Sequence, residues 1–221
     1  MLFRSTTGNY NCGFGLAAGY SITEGSNNIA IGGFSMATGT TGIDNICIGY
    51  TADVSASGST DQIVMGNGVT GVGNDSVTFG NAGTTSSIDF GTNSIDVTSD
   101  VRLKEDIQDE VVGLDFINEL RPVTFRWKKE KDIPEELSAY KADSEERVMN
   151  GKYNHGFIAQ EVKEVIDNHP EIKEGFGMWS ENDADGAQRI GEAALVPMLV
   201  KSIQELSAEV EELKEKLNGN K

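Results

Sequence analysis

The sequence predicts two fold classes in one chain: an all-β solenoid over residues 1–98, then an α+β segment over residues 99–190 that leads into a long helix or coiled coil over residues 191–221. Three observations carry this reading. A pentapeptide ending in glycine recurs every 17 residues in the first half, the composition changes abruptly near residue 98, and apolar residues adopt heptad spacing after Val196.

The repeat is read from Asn11-Cys12-Gly13-Phe14-Gly15, Asn28-Ile29-Ala30-Ile31-Gly32, Asn45-Ile46-Cys47-Ile48-Gly49 and Gln62-Ile63-Val64-Met65-Gly66, whose glycines are 17 apart; a shortened copy, Ser76-Val77-Thr78-Phe79-Gly80, follows after 14. Each copy is polar, apolar, small, apolar, Gly. That pattern is a short strand with its second and fourth side chains on one face and its third on the other, and glycine then permits a turn. Self-similarity at this period is the mark of a solenoid whose coils pair only with their neighbours. The entropy of ordering a whole coil outweighs what two or three buried Ile, Phe or Met return. One coil is therefore marginal alone, and three chains packed about an axis are expected to bury the small-residue face (Gly13, Ala30, Cys47, Val64) as well. Residues 84–98 read as a tapering strand pair.

Composition sets the boundary. Residues 1–98 hold 18 of the 26 glycines and one basic side chain, Arg4, against seven acidic ones; the remainder holds the other 17 Lys and Arg, 28 Asp and Glu, both tryptophans and all four prolines. A net charge of -17 leaves no basic footprint for nucleic acid or anionic lipid. No apolar run is long enough to span a membrane, and Met1-Leu2-Phe3-Arg4-Ser5 lacks the apolar stretch of a secretory leader, so synthesis in the cytosol is expected. Cys12 and Cys47 do not make a disulfide framework and are read as small packed hydrophobes. Histidines and cysteines lie too far apart for a metal site, and no cofactor is expected.

Beyond Lys104 the apolar period becomes helical. Val111, Val112, Leu114, Ile117 and Leu120 form a helix that Pro122 stops, and Val123-Thr124-Phe125-Arg126-Trp127 alternates as a strand. Residues 128–153 are a charged surface excursion. Asn154 to Val162 breaks from strand into helix, and Trp179 to Ile190 makes a hairpin around Asp185-Gly186. Val196, Leu199, Ile203, Leu206, Val210, Leu213 and Leu217 then form a heptad seam, with Glu209 and Lys214 placed for an interhelical pair. β-Branched residues at a and leucine at d favour two strands over three, so the roll decides for a trimer. One amphipathic helix packed on its own domain is the alternative.

The repeats resemble the head repeats of trimeric autotransporter adhesins, with Asn28 to Gly32 matching best, over about residues 9–83. That resemblance implies a left-handed parallel β-roll in homotrimers; similar repeats are common in bacteriophage tail fibres. Ser99-Asp100-x-Arg102-Leu103-Lys104-Glu105-Asp106-Ile107, Leu120-x-Pro122-Val123-x-Phe125-x-Trp127, Gly156-Phe157-Ile158-Ala159-Gln160-Glu161-Val162 and the heptad tail after Leu195-Val196-Pro197 together resemble the C-terminal intramolecular chaperone domain of endosialidase-type phage tailspikes. The resemblance implies a chaperone that brings three chains together, folds the upstream β-solenoid and then cuts itself off. It makes Ser99 the nucleophile, Lys104 its base and Thr98-Ser99 the cleaved bond of a single-turnover serine endopeptidase, with Asp100, His155 and Gln160 as assisting residues. The partners it implies are two further copies, upstream fibre segments and a host surface receptor, with the stalk in the virion tail and the chaperone fragment released.

The residues themselves leave alternatives open. Ser99 also reads as a helix N-cap with Lys104 in solvent, and His155 also reads as a structural histidine. A lysine acts as base only where burial or a nearby cation weakens its hold on the proton, so Glu105, Asp106, Asp109 and Glu110 are expected to face solvent. Spacing of five is unhelpful on regular structure: a strand places the pair on opposite faces, and a helix separates them by about 140 degrees. The two must meet across a bend or across a subunit boundary. A non-cleaving trimerisation module whose roll binds a host receptor is the second functional reading.

Overall fold

The computed structural model describes residues 7–172 and 174–219, so the reading of residues 1–5 as free of a leader lies outside the described residues. The chain divides into two compact units, Met1–Asp106 and Ile107–Lys221. The division leaves Ser99 and Lys104 in the first and His155 and Gln160 in the second.

In the first unit the sequence repeat becomes the hydrogen-bonding register. Strands β1 (Cys12–Phe14), β2 (Ile29–Ile31), β3 (Ile46–Ile48), β4 (Gln62–Asn67) and β5 (Ser76–Asn81) stack in parallel, pairing Gly13 with Ala30, Ala30 with Cys47, Cys47 with Val64 and Val64 with Thr78. The polar residues opening the first four copies form an amide column, half-buried at Asn11 and buried at Asn28, Asn45 and Gln62. Asn28 donates its backbone N–H (3.0 Å) and Nδ2 (3.1 Å) to Asn11 Oδ1, and Asn45 does the same to Asn28 Oδ1 at 3.1 and 3.0 Å. Gln62 replaces asparagine in the fourth copy and still donates its N–H to Asn45 Oδ1 at 3.1 Å. Just before the column the chain turns through left-handed backbone at Asn27, Asp44, Asp61 and Asp75, and Asn and Asp tolerate that conformation better than other non-glycine residues.

The glycine column has two causes. Gly15, Gly32, Gly49, Gly66 and Gly80 adopt φ of 138, 120, 139, 131 and 140 degrees, and a Cβ on Gly49 would lie 2.1 Å from the Gly66 carbonyl oxygen. The coils thus pass too close for any side chain.

The faces are the reverse of those expected. Ala30, Cys47 and Val64 lie fully inside the single chain, with a second inward row, Ala18, Ser35, Ala52 and Val69, also 17 residues apart. Phe14, Ile31, Ile48 and Met65 stand outward, 77%, 37%, 40% and 38% exposed. The interior is shared between Ala, Cys and Val on the strands and the larger Ile22, Met36 and Val54 between them, all buried in one cluster, so the apolar residues at the second and fourth strand positions are turned out. Cys47 is accordingly packed, its thiol pushed up to about 12 by burial, whereas Cys12 sits on the outer face and is exposed. The parallel stack ends in antiparallel β6 (Thr84–Asp89) and β7 (Asp96–Val97), which pair β5 to β6 and β6 to β7.

The second unit gathers around Val112, Phe116, Leu120, Val162, Met178, Leu195 and Met198. Helix α1 (Leu114–Glu119) begins later than the apolar spacing suggested, because Glu110 Oε1 accepts the N–H groups of Val111 and Val112 and holds them outside the helix. Its first N–H, from Leu114, goes to Glu205 Oε2 at 2.8 Å. β8 (Val123–Phe125) pairs antiparallel with β9 (Asn154–Gly156), followed by α2 (Ala159–Asn168) and the hairpin β10 (Trp179–Glu181) and β11 (Gln188–Ile190). The charged excursion is ordered around Glu130, whose carboxylate accepts from Lys141 Nζ (2.8 Å) and Ser144 Oγ (2.7 Å).

Helix α3 (Val196–Gly219) packs on α1 through Met198 and Ser202. Its heptad seam is a different face: Val196, Leu199, Ile203, Leu206, Val210, Leu213 and Leu217 are all exposed. The helix therefore docks on its own unit and keeps the seam free. Lys214 reaches Glu211 on its own helix, at 2.6 Å.

His169 closes the carboxyl end of α2 with its N–H on the Ile166 carbonyl. Its ring is nearly buried, edge-on to Phe116, with Nδ1 2.6 Å from Glu171 and Nε2 3.4 Å from Glu119. The hydrogen bond to Glu171, helped by the Glu119 charge, raises the imidazole pKa above its ordinary value despite burial.

Two outcomes follow. Gly49→Ala costs about 3 kcal/mol or more, from backbone strain plus the carbonyl clash, and is read as a large fall in melting temperature; Gly73→Ala, with nothing within 4 Å, stays within about 0.5 kcal/mol. The charged form of His169 stabilises the folded state, so its contribution is complete below the unfolded imidazole pKa and is lost as pH rises through the folded one. Urea melts from about pH 5 to about pH 8 should show stability of the second unit falling, and His169→Gln should flatten that slope.

Candidate functional site

The site is built on the end of strand β7. Val97 is paired with Ser86, and Thr98 is held to β6 by its backbone N–H and its Oγ1, each 3.4 Å from the Thr85 carbonyl oxygen. The carbonyl side of the Thr98-Ser99 bond is thereby tied to the repeat unit.

A bend follows. Asp100 is extended and caps a short 3-10 turn over Val101–Leu103, its Oδ1 accepting the Arg102 N–H at 2.9 Å; Lys104 is extended again and gives its N–H to the Val101 carbonyl at 3.1 Å. The cap is thus Asp100, which leaves the Ser99 hydroxyl free of that role. Extended backbone, one tight turn and extended backbone bring the two side chains together within one chain, and Lys104 Nζ donates to Ser99 Oγ at 2.6 Å.

The Arg102 guanidinium closes over the same carboxylate. Its Nε lies 3.0 Å from each oxygen of Asp100, and Nη2 makes a further bond. This fork, then the Arg102 backbone N–H, hold the Asp100 carboxyl below the ordinary carboxylate range. Glu105, Asp106, Asp109 and Glu110 are exposed. Among the described residues neither Glu105 nor Asp106 makes an ion pair with Lys104.

Ser99 and Lys104 are exposed. Beside them is an open hollow of about 480 Å³, bordered by Gly83, Thr84, Thr85, Thr98, Leu103 and Lys104. In this contact the ammonium donates and the hydroxyl accepts; base action is the reverse arrangement, in which Oγ–H donates to a neutral amine. A water-poor surrounding favours that reversal.

His155 and Gln160 belong to the second unit. His155 lies on β9 opposite Thr124 and is exposed, bordering a hollow with Pro122, Phe157 and Glu192. Gln160 is exposed in the first turn of α2. Thr85 is a cross-strand neighbour without a local sequence signal; Arg102 reads from the sequence as binding a carboxylate or holding the turn, and the structure supplies the partner, Asp100, two residues away.

Residues 99–169 match the family described as chaperone of endosialidase, the match starting at Ser99 and taking in Lys104, His155 and Gln160. No curated protein matches the chain. No solved structure matches it. The segment that begins at Ser99 is therefore similar to an endosialidase-type chaperone, and it is preceded by a β-solenoid.

Proposed function

We propose that this chain is the C-terminal part of a bacteriophage tail fibre or tailspike, in which an intramolecular chaperone assembles three copies, folds the upstream β-roll and releases itself by cutting Thr98-Ser99. The observation that carries the reading is the 2.6 Å contact of Lys104 Nζ with Ser99 Oγ at the first residue of the chaperone-like segment. Assembly is supported by two unpartnered apolar faces, the outward row Phe14, Ile31, Ile48 and Met65 on the roll and the free seam of α3.

The chemistry uses few groups. Neutral Lys104 takes the Ser99 hydroxyl proton, and Oγ attacks the Thr98 carbonyl carbon. The C–N bond breaks as the proton passes to the Ser99 nitrogen, leaving an ester between Thr98 and Ser99. Water then adds to the ester, giving a Thr98 carboxylate and a chaperone fragment that begins at Ser99. Thr98 stays anchored to Thr85 throughout, so the acyl carbon is held while the turn carrying nucleophile and base moves. Burial of the exposed dyad by neighbouring copies supplies the water-poor surrounding that base action requires.

One observation favours a second reading, a non-cleaving trimerisation module of a fibre or adhesin whose roll binds a host receptor: the dyad is in solvent, with the lysine donating.

Denaturing mass spectrometry separates the two. Wild type should yield a fragment starting at Ser99, and Ser99→Ala and Lys104→Ala should stay whole; an intact wild-type chain after assembly defeats cleavage. Light scattering should give the mass of three chains, and Ile203→Asp combined with Leu206→Asp should lower it, each buried apolar residue lost being worth about 2 kcal/mol. A monomeric wild-type mass would overturn assembly.

A further inference from the structure

We propose that Asp100 and Arg102 are positioning residues for the cleavage proposed above: their forked pair fixes the bend that joins Ser99 to Lys104 and withholds from Lys104 the carboxylate that would otherwise compete with Ser99 for it. The inference rests on that functional reading but has a test that does not.

Sequence spacing alone sets Ser99 and Lys104 apart, and one tight turn brings them together. That turn has two supports from the same side chain. Asp100 Oδ1 takes the Arg102 N–H at 2.9 Å, which sets the start of the turn, and both carboxylate oxygens are held by Arg102 Nε at 3.0 Å. The planar guanidinium matches a carboxylate edge to edge, which a lysine in the same place would not do.

The second role is electrostatic. Ser99 is followed at once by Asp100, so the ammonium that reaches Ser99 Oγ works beside a carboxylate. An unpaired Asp100 would draw Lys104 into an ion pair, away from the hydroxyl, and would favour its charged form. Arg102 prevents this by occupying both oxygens. Other charges nearby are few. Glu105 and Asp106 follow Lys104 and are exposed, β7 carries Asp96, which accepts from Ser94 Oγ at 3.4 Å, and β6 presents the uncharged Thr84, Thr85 and Ser86 to the hollow.

The test separates position from charge in the full chain. Arg102→Ala frees the carboxylate, so cleavage should slow by about tenfold to a hundredfold, with the pH–rate profile moved to higher pH while the trimer mass and melting temperature hold. Asp100→Asn added to Arg102→Ala keeps a competent cap, since Asn and Asp cap alike, and removes the competing charge; rate and profile should return towards wild type. A purely structural role would slow both variants equally and leave the profile in place, and that result, or an Arg102→Ala chain with wild-type rate, overturns the proposal.

A wild-type chain that stays whole defeats the cleavage reading without touching this one. In that case Ser99→Cys serves as the background, with iodoacetamide alkylation at position 99 followed by peptide mass mapping. An adjacent ammonium promotes the reactive thiolate, so Arg102→Ala should slow alkylation and the added Asp100→Asn should restore it; equal rates in all three chains overturn the proposal.

Discussion

The amide column from Asn11 through Asn28 and Asn45 to Gln62 is the constraint on which the first unit depends. Each asparagine side chain accepts from the coil above it and donates to a backbone carbonyl within the stack, as Asn28 does to Gly42 (2.7 Å) and Asn45 to Ser59 (2.8 Å). Asn28, Asn45 and Gln62 are buried, and a buried amide left without partners costs about 1–3 kcal/mol. The column therefore forces each coil to begin at the same height and angle as the last. Everything else on the strands then takes its place: the inward Ala, Cys and Val, the outward Ile and Met, and the glycines that let successive coils touch.

That register explains why so much of the first unit was legible in the sequence. Periodic residues in a solenoid meet their own equivalents, so alignment of the copies already was the strand pairing. What the alignment did not carry was which face turned inward. Alternation at Ile29, Ala30 and Ile31 defines two faces without labelling them, and the larger face turns out because Ile22 and Met36, from between the strands, already occupy the interior beside Ala30 and Cys47. Cys12 followed the outer face for the same reason.

The second unit was legible where periodicity was long, as in α3, and less so where one polar group decides the outcome. Glu205 receiving the Leu114 N–H, Glu130 ordering the charged excursion and His169 between Glu119 and Glu171 are contacts between residues distant in sequence or lacking a pattern. The site lay between these cases. Ser99 and Lys104 were visible as types, but their meeting depended on a turn whose cap, Asp100, carries no signal that sets it apart from Ser99 beside it. The heptad seam points to a division of labour on one helix: Met198 and Ser202 bind it to its own unit while the adjacent stripe remains exposed.

The antiparallel return through β6 and β7 gives the stack a direction. A parallel stack has an edge that accepts a further strand, from the same chain or another, and β6 occupies that edge of β5 along its whole length, leaving only two-residue β7 outermost. Duplicated coils can therefore enter ahead of β5 at about 4.8 Å of added height each without disturbing the end, whereas an insertion after Asn81 meets the returning hairpin. Length in such a stack is free to vary at one side and is fixed at the other, and the fixed side is the one that holds Thr98.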